Sequence, residues 1–379
     1  MKNYIFLIQS VLLIIGSTTL FASISEQRSG YLSDTNFIDG PHLFYNAAGI
    51  TIKRIVAKKR RIKIEEQHIA TNKIKDLSFT VAVSGMPNES FKVHLKPTLE
   101  VSPSTYVEPD KFLAISDLEG NFYAFQSLLK SRGIIDMDYQ WTYGDGHLVL
   151  LGDFFDRGAQ VTELLWLIYE LESQAKLQGG QVHFILGNHE ILNLNGMNHY
   201  ADTKYLKIAK KMKIDYKELY GPSTELGRWL RTKNSIEKIG NDLFVHGGFS
   251  TELVESGLSI QEINENIRAN LGLTYNEIYA KDKTTILIFG KKGPLWYRGN
   301  VDNYTESELK TVFQHFGGTA IILGHTSWRN EINRIADGQV ITIDVLQPNE
   351  HSDTNRPRCL LKEEGYYYKV DDKDLRVRL

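Results

Sequence analysis

Short apolar runs recur through the middle of the chain, and each is followed at once by polar or glycine residues. They lie at 112–115, 148–151, 182–186, 243–245 and 319–323. Short apolar runs that end in turn residues predict buried strands. Because ligands bind at the carboxyl ends of strands in open α/β sheets, we expect the residues after these runs to meet at one site.

Apolar residues that recur at helical spacing predict helices between the strands. The predicted helices are 121–132, 161–177, 204–220 and 224–231. The last two lie in an insertion, 191–240, that we expect to sit above the site and to influence substrate choice. Near the end of the chain, 340–343 and 366–370 alternate like strands and are predicted to complete a second sheet.

The segment before residue 108 has a different character. Alternating runs separated by Gly, Pro and Asn predict strands without helices. These runs are 42–45, 50–56, 62–66, 77–83 and 89–95. A stretch with Pro and Ser at 97–109 is typical of a linker. We therefore predict a small all-β domain at 30–107, which shapes the entrance of the site or holds a partner, and one large domain at 108–379.

The first residues have the pattern of a targeting signal. Lys2 precedes an apolar run at 4–15, and small residues follow at Gly16 and Ala22. Charged, apolar and small residues in this order are typical of a secretory signal peptide. The run is too short to span a bilayer comfortably. We predict a signal peptide at 1–23 and an exported, periplasmic protein, with a secreted or N-terminally anchored protein as the alternative.

The composition is that of an ordinary globular protein. The 379 residues are 42% hydrophobic and 24% charged, with a net charge of −2. A net charge this small gives no reason to expect nucleic acid or an anionic membrane as a partner. A basic stretch at 53–63 alternates with Ile and Val, which favours a solvated strand face. Cys359 is the only cysteine, so no intramolecular disulfide can form.

Six residues that follow the apolar runs have side chains that bind divalent cations. They are Asp117, Glu119, Asp153, Asn188, His246 and His325. Carboxylate and amide oxygens, together with imidazole nitrogens, suit two adjacent divalent ions. The sequence therefore predicts a dinuclear metal site at the strand ends.

These residues belong to five motifs that follow one another within 111–345. The motifs are Asp117-x-Glu119-Gly120, Gly152-Asp153-x-x-Asp156-Arg157-Gly158, Gly187-Asn188-His189-Glu190, His246-Gly247-Gly248 and Gly324-His325. In this order they resemble the motifs of calcineurin-like metallophosphoesterases, and the second motif resembles that of the phosphoprotein phosphatase branch. The segments 226–230 and 294–298 are similar to those of Shewanella-like bacterial phosphatases.

The resemblance implies a mixed α/β fold, with a two-sheet β-sandwich flanked by helices and two divalent metal ions at the strand ends. Mn²⁺ is the expected metal, with Fe, Mg²⁺ or Zn²⁺ as alternatives. The implied ligands are Asp153 between the ions, Asp117, Glu119 and His325 on one ion, and Asn188 and His246 on the other. In such sites the metals generate a hydroxide that attacks a phosphate monoester.

The same resemblance implies the catalytic residues. His189 matches the general acid, which gives a proton to the leaving group, and Asp156 would hold its imidazole in the right tautomer. Arg157 has the planar, forked guanidinium that suits a phosphate group. Arg298, in the segment 294–298, is a second candidate for binding the phosphate.

One position departs from the family pattern. The first motif of the family is normally Asp-x-His-Gly, and Glu119 occupies the place of the His. A carboxylate can still bind a metal ion, with a preference for harder ions such as Mg²⁺ or Mn²⁺. The alternative is that the site is half-formed and that the protein only binds phosphate.

The sequence thus predicts an exported, metal-dependent phosphatase that hydrolyses phosphate monoesters on proteins or peptides. A hydrolase of small phosphate esters or dinucleoside polyphosphates is one alternative, and a non-catalytic, metal-dependent phosphate-binding protein is the other. Phosphoserine, phosphothreonine and phosphotyrosine all remain open as substrates. No nucleic-acid partner is expected, and no stable membrane insertion once the signal peptide is removed.

Overall fold

The computed structural model describes residues 37–58, 61–348 and 355–379. The predicted signal peptide lies outside these ranges. Within them, no helix is both long enough and apolar enough to cross a membrane.

The described residues form 17 β-strands and 11 α-helices. The strands are β1 (Phe37–Asn46), β2 (Gly49–Lys58), β3 (Arg61–Ala70), β4 (Ser78–Val83), β5 (Met86–His94), β6 (Thr105–Tyr106), β7 (Lys111–Ile115), β8 (His147–Leu150), β9 (Gln181–Phe184), β10 (Ile236–Ile239), β11 (Asp242–Val245), β12 (Ala320–Leu323), β13 (Asn333–Ile335), β14 (Val340–Thr342), β15 (Arg358–Glu363), β16 (Tyr366–Asp371) and β17 (Arg376–Arg378). The helices are α1 (Phe122–Ser131), α2 (Val161–Leu177), α3 (Asn188–Leu194), α4 (Thr203–Met212), α5 (Glu225–Leu230), α6 (Thr251–Glu255), α7 (Ile260–Ala269), α8 (Tyr275–Tyr279), α9 (Lys283–Phe289), α10 (Gly299–Asp302) and α11 (Glu306–Phe316), with short 3₁₀ helices at Thr71–Lys73 and Tyr216–Tyr220.

Two six-stranded sheets form the centre of the molecule. One has the order β17-β16-β15-β7-β8-β9 and the other the order β13-β14-β12-β11-β10-β6. Successive residues of a strand point to opposite faces. Phe112 and Ala114 therefore belong to a core shared by the two sheets, whereas Leu113 and Ile115 belong to the core that includes the helices. The predicted fold, a two-sheet sandwich flanked by helices, is confirmed.

The strands that precede the motifs run parallel within each sheet. In the first sheet β7 pairs with β8 and β8 with β9, and in the second sheet β11 pairs with β12. Within each sheet their carboxyl ends therefore share one edge, and the 3.0 Å contact between Asp153 after β8 and His246 after β11 shows that the two edges meet. This arrangement brings loops that are far apart in sequence to one place.

The N-terminal strands form a three-stranded antiparallel sheet, β1 to β3, and a hairpin of β4 and β5. Both pack on α2. The Phe79 ring meets the Trp166 ring edge-on at 4.9 Å between centroids, and the indole N–H of Trp166 donates to the carbonyl of Pro41 at 2.9 Å. The apolar residues of these strands belong to the same continuous core as α1 and α2. The predicted all-β segment is present, and its boundaries as a domain stay a prediction.

One predicted helix is wrong in its length. The segment 204–220 is not continuous, because α4 ends at Met212 and a 3₁₀ helix covers Tyr216–Tyr220. Lys213 adopts a left-handed conformation with φ of 59°, and the N–H of Ile214 turns back to the carbonyl of Ala209 at 3.2 Å. This turn satisfies carbonyls at the end of α4 and stops the helix.

The last two predicted strands do not complete one sheet together. β14 pairs in parallel with β12 in the second sheet, whereas β16 pairs with β15, which joins β7 in the first sheet. A tight connection between Glu363 and Tyr366 folds β15 and β16 into a hairpin. Each sheet therefore receives one of the two strands.

Candidate metal centre and active-site cavity

The loops after the five motif strands meet in a cavity of about 570 Å³. Eight of the ten predicted site residues line it: Asp117, Glu119, Asp153, Arg157, Asn188, His189, Arg298 and His325. The other two, Asp156 and His246, are buried directly behind, in contact with His189 and Asn188 respectively. The structure therefore brings all ten residues together, while their individual roles stay predictions.

The backbone is strained at many of these residues. Six non-glycine site residues have φ angles between 47° and 73°: Asp117, Glu119, Asp153, Asp156, Arg157 and His325. Such conformations cost roughly 1–3 kcal/mol each, and they persist where the surrounding structure enforces them. In this protein they gather at the cavity.

Two glycines allow the loops to approach one another closely. A Cβ atom on Gly187 would lie 2.4 Å from Oδ1 of Asp153, and one on Gly324 would lie 2.8 Å from Oδ2 of Asp117. No side chain fits at such distances, so glycine is required at both positions.

Asp153, His246 and His325 form a first group of metal-binding atoms, all within 4.8 Å of one another. Nδ1 of His246 lies 2.7 Å from the carbonyl of Leu151, and a carbonyl can only accept a hydrogen bond. A second-shell carbonyl commonly fixes a metal-binding His in this way. Nε2 lies 3.0 Å from Oδ2 of Asp153 and 3.0 Å from Oδ1 of Asn188. Burial would lower the pKa of His246, but the charge of Asp153 raises it to about 10, so the metal-free imidazole carries a proton that a bound cation would displace.

Nε2 of His325 is buried and has no hydrogen-bond partner among the described residues. Burial and the neighbouring His246 lower the pKa of His325 to about 3, so the imidazole is neutral. The resemblance implied that His325 shares an ion with Asp117 and Glu119. In the structure its ring lies near the metal-binding atoms of Asp153 and His246, because the end of β12 lies next to the end of β11. Which ion His325 would serve stays a prediction.

Glu119, Asp153 and His189 form a second group within 4.8 Å. Asp153 belongs to both groups, which fits the predicted position between two ions. The Glu119 carboxylate also forms an ion pair with the Arg157 guanidinium. Glu119, which replaces the His of the family motif, thus pairs with Arg157, the arginine predicted to bind phosphate.

His189 is held by a buried carboxylate. Its Nδ1 lies 2.5 Å from Oδ2 of Asp156, while Oδ1 of Asp156 accepts a bond from the amide of Asn193 at 2.9 Å. Burial would lower the pKa of His189, but the hydrogen bond to Asp156 and the charge of Asp153 raise it. Nε2 of His189 lies 3.8 Å from Oδ2 of Asp153, on the side of the metal-binding groups.

Arg298 also lines the cavity, and hydrogen bonds fix its position. Its Nη1 donates to the carbonyl of His325 at 2.5 Å and to the hydroxyl of Thr326 at 3.1 Å. The bonds hold the guanidinium beside the loop that follows β12. They place a second positive charge in the lining of the cavity.

Two further carboxylates belong to the site, although sequence reasoning gave them no role. Glu190 is fully buried, and its oxygens accept bonds from the backbone N–H groups of Asp153, Phe154 and Gly187 at 2.7–2.9 Å. Glu190 thus ties the second motif to the third. The sequence signal for a role of Glu190 was its position inside the third motif.

Asp344 is the second missed carboxylate and lines the cavity. It follows β14 much as His325 follows β12. The expectation that residues after strands belong to the site, applied to 340–343, could therefore have identified Asp344. Burial and the charge of Asp153 raise the pKa of Asp344 to about 6, against the opposing effect of His246.

The donor set fits divalent cations. Burial and the nearby Asp344 raise the pKa of Asp117 well above its usual range, which shows how much negative charge is gathered here. Two Asp carboxylates, an unpartnered buried imidazole nitrogen and an oriented His246 offer hard and borderline ligands around one centre. The residues therefore fit divalent metal ions, while the predicted pair of ions with Asp153 between them stays a prediction.

A two-sheet sandwich with this cluster at its strand ends defines a metal-dependent hydrolase of phosphate esters. Comparison with known proteins supports this class: residues 110–328 match the calcineurin-like phosphoesterase family. The chain belongs to this family. A crystal structure of a cold-active protein-tyrosine phosphatase from a psychrophilic Shewanella species is similar, at 33% identity and a TM-score of 0.78, over 90% of this chain and 99% of that one.

Two curated relatives are also similar. Shewanella-like protein phosphatase 2 of Arabidopsis thaliana is 26% identical and aligns with 65% of this chain and 73% of its own length. Shewanella-like protein phosphatase 1 of Plasmodium berghei is 28% identical over 57% of this chain and 61% of its own length. The resemblance to Shewanella-like phosphatases noted from the sequence is confirmed.

Proposed function

We propose that the protein is an exported phosphatase that removes phosphate from phosphorylated protein side chains, with phosphotyrosine as a preferred substrate. One observation supports this most directly. The Asp156–His189 pair faces the metal-binding groups inside a cavity that also holds Arg157 and Arg298. Such a cavity has positive side chains for a phosphoryl group and a positioned proton donor for its leaving group.

The two arginines are suited to binding the phosphate. A guanidinium can donate two parallel hydrogen bonds to phosphate oxygens. Arg298 is fixed by its bonds to the His325 loop, whereas the Arg157 side chain is 56% exposed and can reach into the cavity. The pair would hold the phosphoryl group from two sides.

Asp117, Glu119, Asp153, Asn188, His246 and His325 would hold the metal ions. When bound, two divalent cations supply the charge that stabilises the phosphoryl group in the transition state and that activates water. His189 would give its Nε2 proton to the leaving oxygen, and Asp156 would stabilise the imidazolium before that transfer.

The wall beside His189 favours an aromatic leaving group. The Tyr200 ring lies 5.2 Å from the His189 ring, is 47% exposed and lines the cavity. Trp296 lies against His325 at 5.7 Å. A phenol ring leaving from the phosphate beside His189 could pack on Tyr200. The description of the similar Shewanella protein as a tyrosine phosphatase supports this preference.

Export rests on the sequence alone. The charged, apolar and small residues at the start of the chain have the order of a signal peptide. A periplasmic or secreted enzyme would meet phosphorylated proteins and peptides outside the cytoplasm.

Turnover by the purified protein tests the function. The protein is freed of metal with a chelator and assayed on p-nitrophenyl phosphate, a phosphotyrosine peptide and a phosphoserine peptide, before and after addition of Mn²⁺. We expect Mn²⁺-dependent hydrolysis, fastest on the aryl esters and abolished by Asp153→Asn. Asp337→Asn, at an exposed position away from the cavity, is the matched control. Phosphate binding without turnover would instead favour a binding protein.

A further inference from the structure

A buried ionic cluster joins the N-terminal sheet to the elements that frame the cavity. Asp39 of β1 is fully buried. Its Oδ1 accepts a bond from Nζ of Lys204 at 2.8 Å, and its Oδ2 accepts bonds from Nε2 of His42 at 2.7 Å and from the hydroxyl of Thr162 at 3.2 Å. Burial opposes the charge of Asp39, but Lys204 and His42 lower its pKa to about 2. The carboxylate is therefore ionised at neutral pH.

The partners of Asp39 lie on the two elements that follow cavity residues. Thr162 is in the first turn of α2, five residues after Arg157, and Lys204 is in the first turn of α4, four residues after Tyr200. Asp39 thus connects the start of one helix with the start of the other. Lys204 also lies 4.0 Å from the buried carboxylate of Glu163 in the first turn of α2, so Asp39 supplies the shorter of two charged contacts between these segments.

A second set of bonds runs between the same two segments, closer to the cavity. The hydroxyl of Tyr205 accepts from the N–H of Val161 at 2.8 Å and donates to the carbonyl of Ala159 at 3.1 Å. The N–H of Arg157 donates to the carbonyl of Tyr200 at 3.0 Å. A continuous chain of contacts therefore runs from Asp39 to the backbone of Arg157.

Arg157 needs such support. Its φ is 55° and that of Asp156 is 73°, so two successive residues hold unfavourable left-handed conformations. Strained backbone persists only where surrounding contacts fix it. If α4 shifts, the bond from Arg157 to Tyr200 is lost and the loop can relax away from the phosphate-binding geometry.

We propose that Asp39 of the N-terminal sheet is a positioning residue for the reaction, holding α2 and α4 together so that Arg157 and Tyr200 face the substrate. The inference rests on the proposed phosphatase function. It assigns the N-terminal strands a role in shaping the cavity. Asp39 itself touches no substrate.

The first test measures phosphate affinity. Asp39→Asn keeps the shape of the side chain but removes its charge, and the Mn²⁺-loaded full-length protein is used throughout. We expect the inhibition constant of inorganic phosphate and the KM for p-nitrophenyl phosphate to rise about threefold to tenfold, the range expected when one hydrogen-bonded contact is loosened. Glu66→Gln, which removes the exposed partner of Lys53 in the same sheet, should change neither.

A double-mutant cycle separates positioning from plain loss of stability. If Asp39 acts through Arg157, Asp39→Asn should add no further rise in the phosphate constant to an Arg157→Ala protein. Asp39→Asn should lower the melting temperature of the wild-type protein and of the Arg157→Ala protein alike. A lower melting temperature with an unchanged phosphate constant would overturn the proposal, and so would an equal rise in both backgrounds.

Lys204 provides an independent pair of variants in case Asp39→Asn fails to fold. Lys204→Gln should raise the phosphate constant in the same way, and Lys204→Arg, which keeps the cation, should restore it to within about twofold. Equal phosphate constants for Lys204→Gln and Lys204→Arg would contradict the role of the ion pair. If the wild type shows no turnover, calorimetry of inorganic phosphate binding still compares the phosphate affinity of the wild type with that of the variants. Failure of the proposed function is thereby distinguished from failure of this inference.

Discussion

Glu119 and Arg157 form an ion pair at the edge of the metal-binding groups. The sequence predicts different partners for these residues, a metal ion for Glu119 and the substrate phosphate for Arg157. Glu119 is mostly buried, with 18% of its side chain exposed, whereas 56% of the Arg157 side chain is exposed. A His at position 119 could not pair with Arg157 in this way, so the departure from the family motif changes the surroundings of the arginine as well.

Replacing Glu119 tests whether its carboxylate serves the metal or the arginine. If it is a metal ligand, Glu119→Ala should lower bound metal from about two ions per chain toward one and reduce activity with it. Glu119→His should restore the family pattern and keep activity, with a preference for later transition metals. Elemental analysis and a metal titration of the purified variants measure both effects.

The control for this experiment is Glu100→Ala, which removes an exposed carboxylate paired with Lys176. It should leave metal content unchanged. Should Glu119→Ala also bind metal like the wild type, Glu119 serves mainly as the partner of Arg157. The assignment as a ligand would then be wrong.

The fold and the position of the site could be predicted because both depend on local patterns. Apolar runs mark strands, and parallel strands bring the residues after them together, which is why His246 and His325 could be expected beside Asp153. The ion pair between Glu119 and Arg157 could not be predicted in this way. It depends on side-chain conformations in two loops that only the folded chain brings into contact.

Two other features were not predicted from the sequence, for different reasons. α4 ends at Met212, and the left-handed residue that follows is Lys213. A lysine at this position gives no sequence signal for the end of a helix, and the helical spacing of apolar residues continues past it. Asp344 follows 340–343, whose alternation predicts a strand but does not by itself mark the next residues as part of the site. The rule that found His325 applied equally to Asp344.

His189 should matter most when the leaving group is a poor one. The proton from Nε2 helps an alkoxide far more than a nitrophenolate, so His189→Asn should slow an alkyl phosphate by about 10²–10⁴-fold and p-nitrophenyl phosphate much less. Steady-state rates on the two esters at saturating Mn²⁺ give the comparison. An equal loss on both esters would indicate that His189 positions the substrate or binds metal.

Asp344 should contribute negative charge to the metal centre. Asp344→Asn removes one carboxylate among Asp117, Asp153 and Glu119, so we expect Mn²⁺ affinity to fall by about threefold to thirtyfold. Isothermal titration of the chelator-treated protein measures the change without any need for turnover. Unchanged affinity would place Asp344 outside the influence of the ions.

The N-terminus of the mature protein tests export. Protein purified from its native host should begin between residues 17 and 25, after the apolar run at 4–15. N-terminal sequencing combined with fractionation of the cells gives the answer. An intact Met1 in the soluble cytoplasmic fraction would overturn the proposal that the enzyme is exported.

The pH dependence of stability should depend in part on His147, away from the cavity. Nδ1 of His147 lies 3.0 Å from Nε2 of His183, whose other nitrogen is bonded to Glu237. Burial and the nearby His183 lower the pKa of His147 from 6.5 to about 4. Between these values the unfolded chain binds the proton and the folded chain does not, so the contribution of His147 is present above pH 6.5 and is lost as pH falls toward 4.

His147→Asn removes this titration. After allowance for its partial exposure, the variant should lose about 1 kcal/mol less unfolding free energy than the wild type between pH 7 and pH 4.5. Urea unfolding in chelator at both pH values measures the difference and keeps bound metal out of the comparison. Because the hydrogen bond to His183 is changed at every pH, only the pH-dependent part of the difference is informative. Identical losses for the two proteins would show that His147 takes up its proton equally in the folded and unfolded states.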